Sequence, residues 1–369
     1  MERPVFKPIG TSAEQLDTPV LVVDLDILDR NIETVHSFFR GVEARVRPHV
    51  EPHRCPAIAH RQLAAGGTVG GISVTTVGEA EVFVQHGFND VFVANEVVAP
   101  QKIGRLSALA HQAKVTVAAD SLQGVRDLSE AAQTNGVTLN VAVDIHTRLE
   151  RGGVEPGRPA VDLAKVIQAV QGLNFAGLMT YEGPILVEDG DELAAESRRC
   201  VQRVLDTRQM VEQAGLDVGL VSVGGTHNYE IAGAMAGVTE VPAGSYALMD
   251  QRYSRHRPQL APAARVMATV ISRPEPTKAI MDVGQKAIAT DTGLPVAVDF
   301  PEATVTRLSA EHCYLEWEDD IEGPVDLGDK VWVTPWEIGN CVNVYDYMHA
   351  IQDGKLKAIW DIAARGQYR

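Results

Sequence analysis

Residues 70–120 read "GGISVTTVGEAEVFVQHGFNDVFVANEVVAPQKIGRLSALAHQAKVTVAAD". Three short runs, GGISVTT (70–76), DVFVANEV (90–97) and VTVAAD (115–120), are strand-length and β-branched. Between them VGEAEVFVQHG (77–87) and PQKIGRLSALAHQ (100–112) repeat apolar residues at helical spacing. Strand, helix and strand joined by short Gly- or Pro-marked turns make parallel strands, because the helix carries the chain back to the end it left.

The alternation extends in both directions. Upstream come PVLVVDLD (19–26), ILDRNIETVHSFFR (27–40), ARVRPHV (44–50) and CPAIAHRQLAAG (55–66), as strand, helix, strand, helix. Downstream come SLQGVRDLSEAAQTNG (121–136), TLNVAVDI (138–145), PAVDLAKVIQAVQG (159–172), NFAGLMTYEG (174–183), a long helix over roughly 190–214, and GLVSVGG (219–225). About eight such units predict a (β/α)8 barrel. After residue 262 the texture changes to ARVMATVISRP, KAIMDVGQKA, TVTRLSAEHCYLEWE, DKVWVTPWE and KLKAIWDIAARG, strand-like runs joined by loops. The expected organisation is a TIM-type barrel over 17–260, with a β-rich domain made of 1–16 and 261–369.

The 369 residues carry a formal net charge of −16, which would repel nucleic-acid phosphate and an anionic membrane surface, so neither is an expected partner. A hydrophobic content of 45% with 22% charged residues fits a globular protein rather than a disordered one. Cys55, Cys200, Cys313 and Cys341 show no CxxC spacing, which argues against a zinc knot or a disulfide framework. No apolar run reaches transmembrane length and the N-terminus lacks an apolar signal core, so the expected location is cytoplasmic.

In a barrel of this kind, reactive residues sit where strands end. Candidates are therefore His49, Glu51 and His53, Thr75–Thr76, Asn95–Glu96, His146 and Arg151, Tyr181–Glu182, and the segment from Gly224 to Tyr229. In RVRPHVEPHRCP (45–56), His49, Glu51 and His53 alternate. On an extended backbone they would share one face, as ligands for a metal or as three unrelated polar groups. GGTVGG (66–71) is a helix end and turn, and EWEDDIEG (316–323) an acidic hairpin loop. His60 is read as a surface position, and Cys313 and Cys341 as small buried hydrophobes.

Several stretches together resemble the D-threonine aldolase / D-serine dehydratase family: LDTPVLVVDLDILDRNI (16–32), RPHVEPHRCPAIAHRQLAAGG (47–67), TTVGEAEVFVQHGFNDVFVANEVV (75–98), RGGVEPG (151–157), GLMTYEG (177–183), VGGTHNYE (223–230), PAGSYALMD (242–250) and the closing run from 339 to 366. The resemblance implies an alanine racemase-like fold, a barrel that binds pyridoxal 5′-phosphate (PLP), and a homodimer. It also implies a phosphate cup at Gly225, Thr226, His227 and Asn228 with Ser245 and Tyr246, and Arg151 and Tyr181 beside the cofactor ring.

The chemistry-bearing positions depart from the family. Members read RPHxKTHK where this chain reads RPHVEPHR, so the Schiff-base lysine falls on Glu51. A carboxylate forms no imine, and covalent PLP is not expected. The family's metal-ligand segment corresponds to PWEIGN (335–340), with Glu337 and Gly339 at the ligand positions. Glu182 stands where His or Gln is common, His146 and Arg148 where Asp and Gly are common, and His227 where small residues are common. Three of these changes are to Glu, which suggests a rebuilt hard-cation site of Glu51, Glu182, Glu337 and His49 for Mn²⁺, Mg²⁺, Fe²⁺ or Zn²⁺.

The expected function is a metal-dependent lyase, of aldolase or dehydratase type, acting on a small anionic β-hydroxy or keto acid without a PLP Schiff base. Glu51, His49, Arg151, Tyr181 and Glu182 are its candidate catalytic residues. The alternatives are a non-catalytic or altered ligand-binding protein, or one that keeps PLP as a free cofactor. The cup turns in turn fit non-covalent PLP, an anionic group on the substrate, or simple structural persistence.

Overall fold

The computed structural model describes residues 6–187, 189–318 and 323–369. The acidic segment 316–323 falls partly outside them, at 319–322. The chain forms two compact units, one of residues 33–51, 58–244 and 366–369, the other of 1–32, 52–57 and 245–365.

The first unit is the barrel. A short strand β1 (Val20–Asp24) and helix α1 (Leu25–Arg40) precede it in sequence. Its strands are β2 (Arg45–Pro48), β3 (Ile72–Val74), β4 (Asp90–Glu96), β5 (Lys114–Ala119), β6 (Leu139–Asp144), β7 (Leu173–Met179), β8 (Leu220–Ser222) and β9 (Glu240–Ala243). All pair in parallel in the order β2-β9-β8-β7-β6-β5-β4-β3. Bridges from Val46 to Thr68 and from His49 to Ser73 bring the two ends of that order together and close the ring.

The intervening helices are α2 (Pro56–Ala64), α3 (Val77–Gln85), α4 (Pro100–Leu109), α5 (Leu122–Asn135), α6 (Arg158–Ala169), α7 (Gly190–Gln213) and the short α8 (Tyr229–Gly233). Their ends follow local chemistry. The Thr76 hydroxyl accepts from the Glu79 N–H at the start of α3, and the Ser121 hydroxyl accepts from Gly124 N–H at the start of α5. Gly136 ends α5 at φ 65°, a conformation a side chain would strain.

A barrel interior has to be filled by side chains. Phe92, Ala118, Ala142 and Met179, from four consecutive strands, do this in one buried cluster of two large and two small residues. At the N-terminal ends of the strands the Arg47 guanidinium pairs with both Glu240 oxygens at 2.8 Å and with Asp90 at 2.8 Å. Arg47 and Glu240 are buried, and removing one partner of such a pair costs about 3–5 kcal/mol.

The second unit is built on a nine-stranded sheet. It adds β10 (Ala264–Glu275), β11 (Lys278–Met281), β12 (Val296–Ala297), β13 (Thr304–Leu308), β14 (Cys313–Glu316), β15 (Lys330–Thr334), β16 (Tyr347–Gln352) and β17 (Lys355–Asp361), with short helices α9 (Gln251–Ser254) and α10 (Ile338–Val342). The run PVLVVDLD contributes to this sheet and not to the barrel, whose first strand is β2. In β1, Val20–Val23 pair antiparallel with Ala264–Met267, and Val22–Asp24 pair parallel with His349–Ile351. Val20 and Val22 pack with Met267, Ile351 and Leu356. A buried β-branched run has the same pattern in either sheet, so periodicity does not name its partner.

The four cysteines are buried, and none of them is in a disulfide. Among the described residues no helix is long and apolar enough to cross a membrane.

Candidate active site at the ends of the barrel strands

Carboxylates gather where β4, β5 and β6 end. Glu96 and Asp144 are the last residues of their strands, and Asp120 follows β5 directly. Asp144 is 5% exposed. Burial first, and then the charge and hydrogen bonding of Glu96, push its carboxyl up to about 8, against the pull of Arg151. The loop after β6 folds back over this group. Val154 N–H donates to the Asp144 carbonyl at 2.9 Å, and Gly153 N–H to Asp120 Oδ2 at 3.2 Å. Gly153, at φ 98°, has no room for a Cβ, which would lie 2.7 Å from the His146 nitrogen. The Arg151 guanidinium carbon lies 5.6 Å from the centre of the Tyr181 ring, within cation–π range.

Glu182, His227 and Asn228 form a second cluster. Glu182 is fully buried and His227 is 1% exposed, with Nε2 3.6 Å from Glu182 Oε1, an ion-pair distance rather than a short hydrogen bond. Asn228 Nδ2 donates to Glu182 Oε1 at 2.6 Å and to Ser197 Oγ at 3.2 Å, and Asn228 Oδ1 accepts from Gly225 N–H at 3.0 Å. Burial opposes a charge on Glu182, but His227 and then Asn228 outweigh it and hold the carboxyl below the usual range. Arg148 Nη1 donates to the Glu182 carbonyl at 3.2 Å, and its Nε pairs with Glu196 at 3.3 Å. His146 Nδ1 lies 3.2 Å from Glu155.

The alternation of His49, Glu51 and His53 on one strand face is not what the chain adopts. Strand β2 stops at Pro48, and residues 51–53 form a turn. Pro52 lacks the N–H a further ladder bond would need, and Arg54 takes φ 50°. Arg54 Nη1 donates to the Gly339 carbonyl at 2.7 Å, and its own carbonyl accepts from Ala364 N–H. His49 Nδ1 lies 2.9 Å from Ser73 Oγ, Cys55 N–H donates to His53 Nδ1, and Glu51 is half-buried.

The set Glu51, Glu182, Glu337 and His49 is not assembled as a metal centre: among the described residues no three His, Cys, Asp or Glu side chains form a group able to hold an ion. Glu182 is engaged by His227 and Asn228. Glu337 Oε2 accepts from Thr292 Oγ1 at 3.3 Å and Asn340 Nδ2 at 3.4 Å. The other expected ligand position is Gly339, which has no side chain and whose carbonyl faces the Arg54 cation. These residues do not fit a preformed cation site.

Covalent PLP does not fit either. The barrel unit holds three lysines, and none lies at a strand's C-terminal end: Lys102 is in α4, Lys114 begins β5 and Lys165 is in α6. Of the expected cup residues, Gly225, Thr226, His227 and Asn228 form one turn ahead of α8. Ser245 and Tyr246 belong to the other unit, where Tyr246 is fully buried and the Ser245 carbonyl accepts from Met249 N–H. Asp144 and Asp120 were not singled out from the sequence. The signal was there, a carboxylate closing the otherwise apolar TLNVAVDI and VTVAAD.

Comparison with known proteins agrees with this architecture. Residues 23–251 match the family described as "Alanine racemase, N-terminal domain", and 263–351 a serine dehydratase domain family. A D-threonine aldolase of an Arthrobacter species is 32% identical over 362 residues, 97% of this chain and 95% of that protein. The crystal structure of D-threonine aldolase from Filomicrobium marinum superposes with a TM-score of 0.95 at 37% identity, covering all of both chains. D-threo-3-hydroxyaspartate dehydratase from Delftia sp. HT23 gives a TM-score of 0.84 at 25% identity over 95% of this chain and 98% of that one. A variant of an enzyme of that name has been solved in a metal-free form. The chain belongs to the alanine racemase-like family of barrels, in its D-threonine aldolase and D-serine dehydratase branch.

Proposed function

We propose that the chain is a lyase that breaks a carbon–carbon or carbon–oxygen bond in a small anionic hydroxy acid without forming a PLP Schiff base. Its similarity to an aldolase and a dehydratase over nearly the whole chain supports the lyase kind. The observation that carries the second half is a carboxylate at Glu51, where the family resemblance implies the lysine, in a barrel with no lysine at the C-terminal ends of its strands.

With no imine to accept the electron pair, the substrate has to supply its own acceptor. A hydroxy keto acid does so, because its carbonyl becomes the enolate when the bond breaks. Arg151 binds an anionic oxygen of such a substrate through a planar fork of donors, steadied by Tyr181. The Glu51 carboxylate is the general base: it takes the hydroxyl proton where a carbon–carbon bond breaks, and the proton on the carbon beside the carbonyl where the hydroxyl group leaves. Asp144, pushed up to about 8, still holds its proton at neutral pH and gives it to the developing enolate carbon or to a departing hydroxide.

The test is product release, aldehyde or water loss, from D-threonine, D-threo-3-hydroxyaspartate and small hydroxy keto acids, each with and without added PLP and divalent ions. Turnover of a hydroxy keto acid with no PLP present is the expected result. Turnover that depends on PLP, or none with any acid, overturns the reading.

A further inference from the structure

Glu182 and His227 are the two positions near this turn that the family resemblance reads as departures, and the structure places them against each other, buried, at 3.6 Å. The turn they hold is the one from Gly224 to Asn228. A phosphate-binding turn works by pointing several N–H donors and an open glycine face at the anion. Here the Gly225 N–H is engaged by Asn228 Oδ1 at 3.0 Å. The Asn228 amide is engaged in its turn by Glu182 and Ser197. The glycine face is covered as well. A Cβ on Gly225 would lie 3.3 Å from His227 Nδ1 and 3.5 Å from its Cε1, with the Tyr181 ring at 3.8 Å.

We infer that Glu182, His227 and Asn228 close this turn to phosphate, so that the barrel accepts small acids free of phosphate and excludes phosphorylated ligands, PLP among them. The inference deepens the proposed function and rests on its reading that no PLP imine forms. Glu182 adds to the exclusion beyond sterics. Its carboxyl is held in the charged form directly behind the turn and would repel a phosphate dianion. The arrangement also makes the two residues depend on each other. A buried carboxylate at 182 without a partner at 227 would be left uncompensated.

The probe is pyridoxine 5′-phosphate, which has no aldehyde and forms no imine with surface lysines, titrated by calorimetry beside pyridoxine. The wild-type protein is expected to show no saturable binding of either below about 1 mM. The double variant Glu182→Gln/His227→Ser is expected to gain at least tenfold for the phosphate ester and nothing for pyridoxine. Asn228→Ala, which frees the Gly225 N–H with less loss of packing, is expected to move the same way more weakly. Micromolar binding of the ester by the wild type overturns the inference, and so does a double variant that melts as a folded protein and gains nothing. If the double variant does not fold, the wild-type and Asn228→Ala titrations decide the matter. These outcomes are separate from turnover. An active wild type that binds the ester sinks only this inference, and an inactive one that excludes it sinks only the proposed reaction.

Discussion

Asp144, at the end of β6, lies within reach of the charge of Glu96, at the end of β4, so two carboxyl groups from non-adjacent strands face each other at the same end of the barrel. Burial and the neighbouring charge raise Asp144 from 3.8 to about 8. Raised acids of this kind cluster at functional sites, which separates Asp144 from the surface carboxylates.

Between those two values the folded state holds a proton that the unfolded state has released. The stability Asp144 contributes is therefore complete below the ordinary aspartate range and is lost as pH rises through about 8. Asp144→Asn cannot ionise. It is expected to be more stable than wild type by several kcal/mol near pH 9 and to lose most of that advantage near pH 5. Urea unfolding at the two pH values measures this, and an equal difference at both would show that another group titrates.

Glu51→Gln keeps the side chain's shape and removes its charge. As the general base of the proposed reaction, its loss should lower kcat by about 10²–10⁴ with little change in KM. Steady-state kinetics on the best substrate found among the hydroxy keto acids make the comparison. A variant within twofold of wild type would make Glu51 a bystander.

Glu51→Lys restores the family's amine but leaves the Gly224–Asn228 turn closed. Incubated with PLP, it should give no borohydride-fixable adduct at residue 51, whereas the same change combined with Glu182→Gln/His227→Ser should give one. Peptide mapping after reduction locates the adduct. An efficient adduct in the single variant would show that the closed turn does not govern phosphate entry.

His227→Ala strands the Glu182 carboxylate in the interior, which should cost about 3–5 kcal/mol. Because Glu182 is held below the usual range, the stability it contributes is present above the ordinary carboxylate range and lost as pH falls through its folded value. Glu182→Gln should therefore melt lower than wild type at neutral pH, by an amount equivalent to about 1–3 kcal/mol, with the gap narrowing in acid. Melting curves at neutral and acid pH check both statements.

Glu337, expected from the sequence as a metal ligand, accepts from Thr292 and Asn340 at the start of α10. Glu337→Gln should leave activity within about twofold, stability within about 0.5 kcal/mol, and metal content unchanged by elemental analysis. A fall in bound metal would restore Glu337 as a ligand. Arg54→Ala is the contrasting change. It removes a buried charged donor from the Gly339 carbonyl and should cost about 1.5–3 kcal/mol.

The barrel was legible because its evidence is local and periodic. A strand such as VTVAAD and a helix such as PQKIGRLSALAHQ declare their type within a dozen residues, and their alternation dictates parallel pairing. Arg151 and Tyr181 were legible through motif, and the structure brings them together. Glu51 was legible as a carboxylate where the family resemblance implies a lysine. The sheet that PVLVVDLD joins was not, because its partners Ala264–Met267 lie more than two hundred positions away.

The same division runs through the site. Which residue types the chain carries at its strand ends is a property of the sequence, and so is the glutamate at position 51. Which of them meet is a property of the fold. Glu51, Glu182 and Glu337 read as one theme along the chain, but Glu182 is taken by His227 and Asn228, and Glu337 by Thr292 and Asn340. Asp144 and Glu96, nearly fifty positions apart, come under each other's charge only because parallel strands bring their ends to the same end of the barrel. Charge interactions fall with distance through space and take no account of distance along the chain. Burial and partner choice, which raise Asp144 and hold Glu182 down, therefore exist only once the barrel has closed.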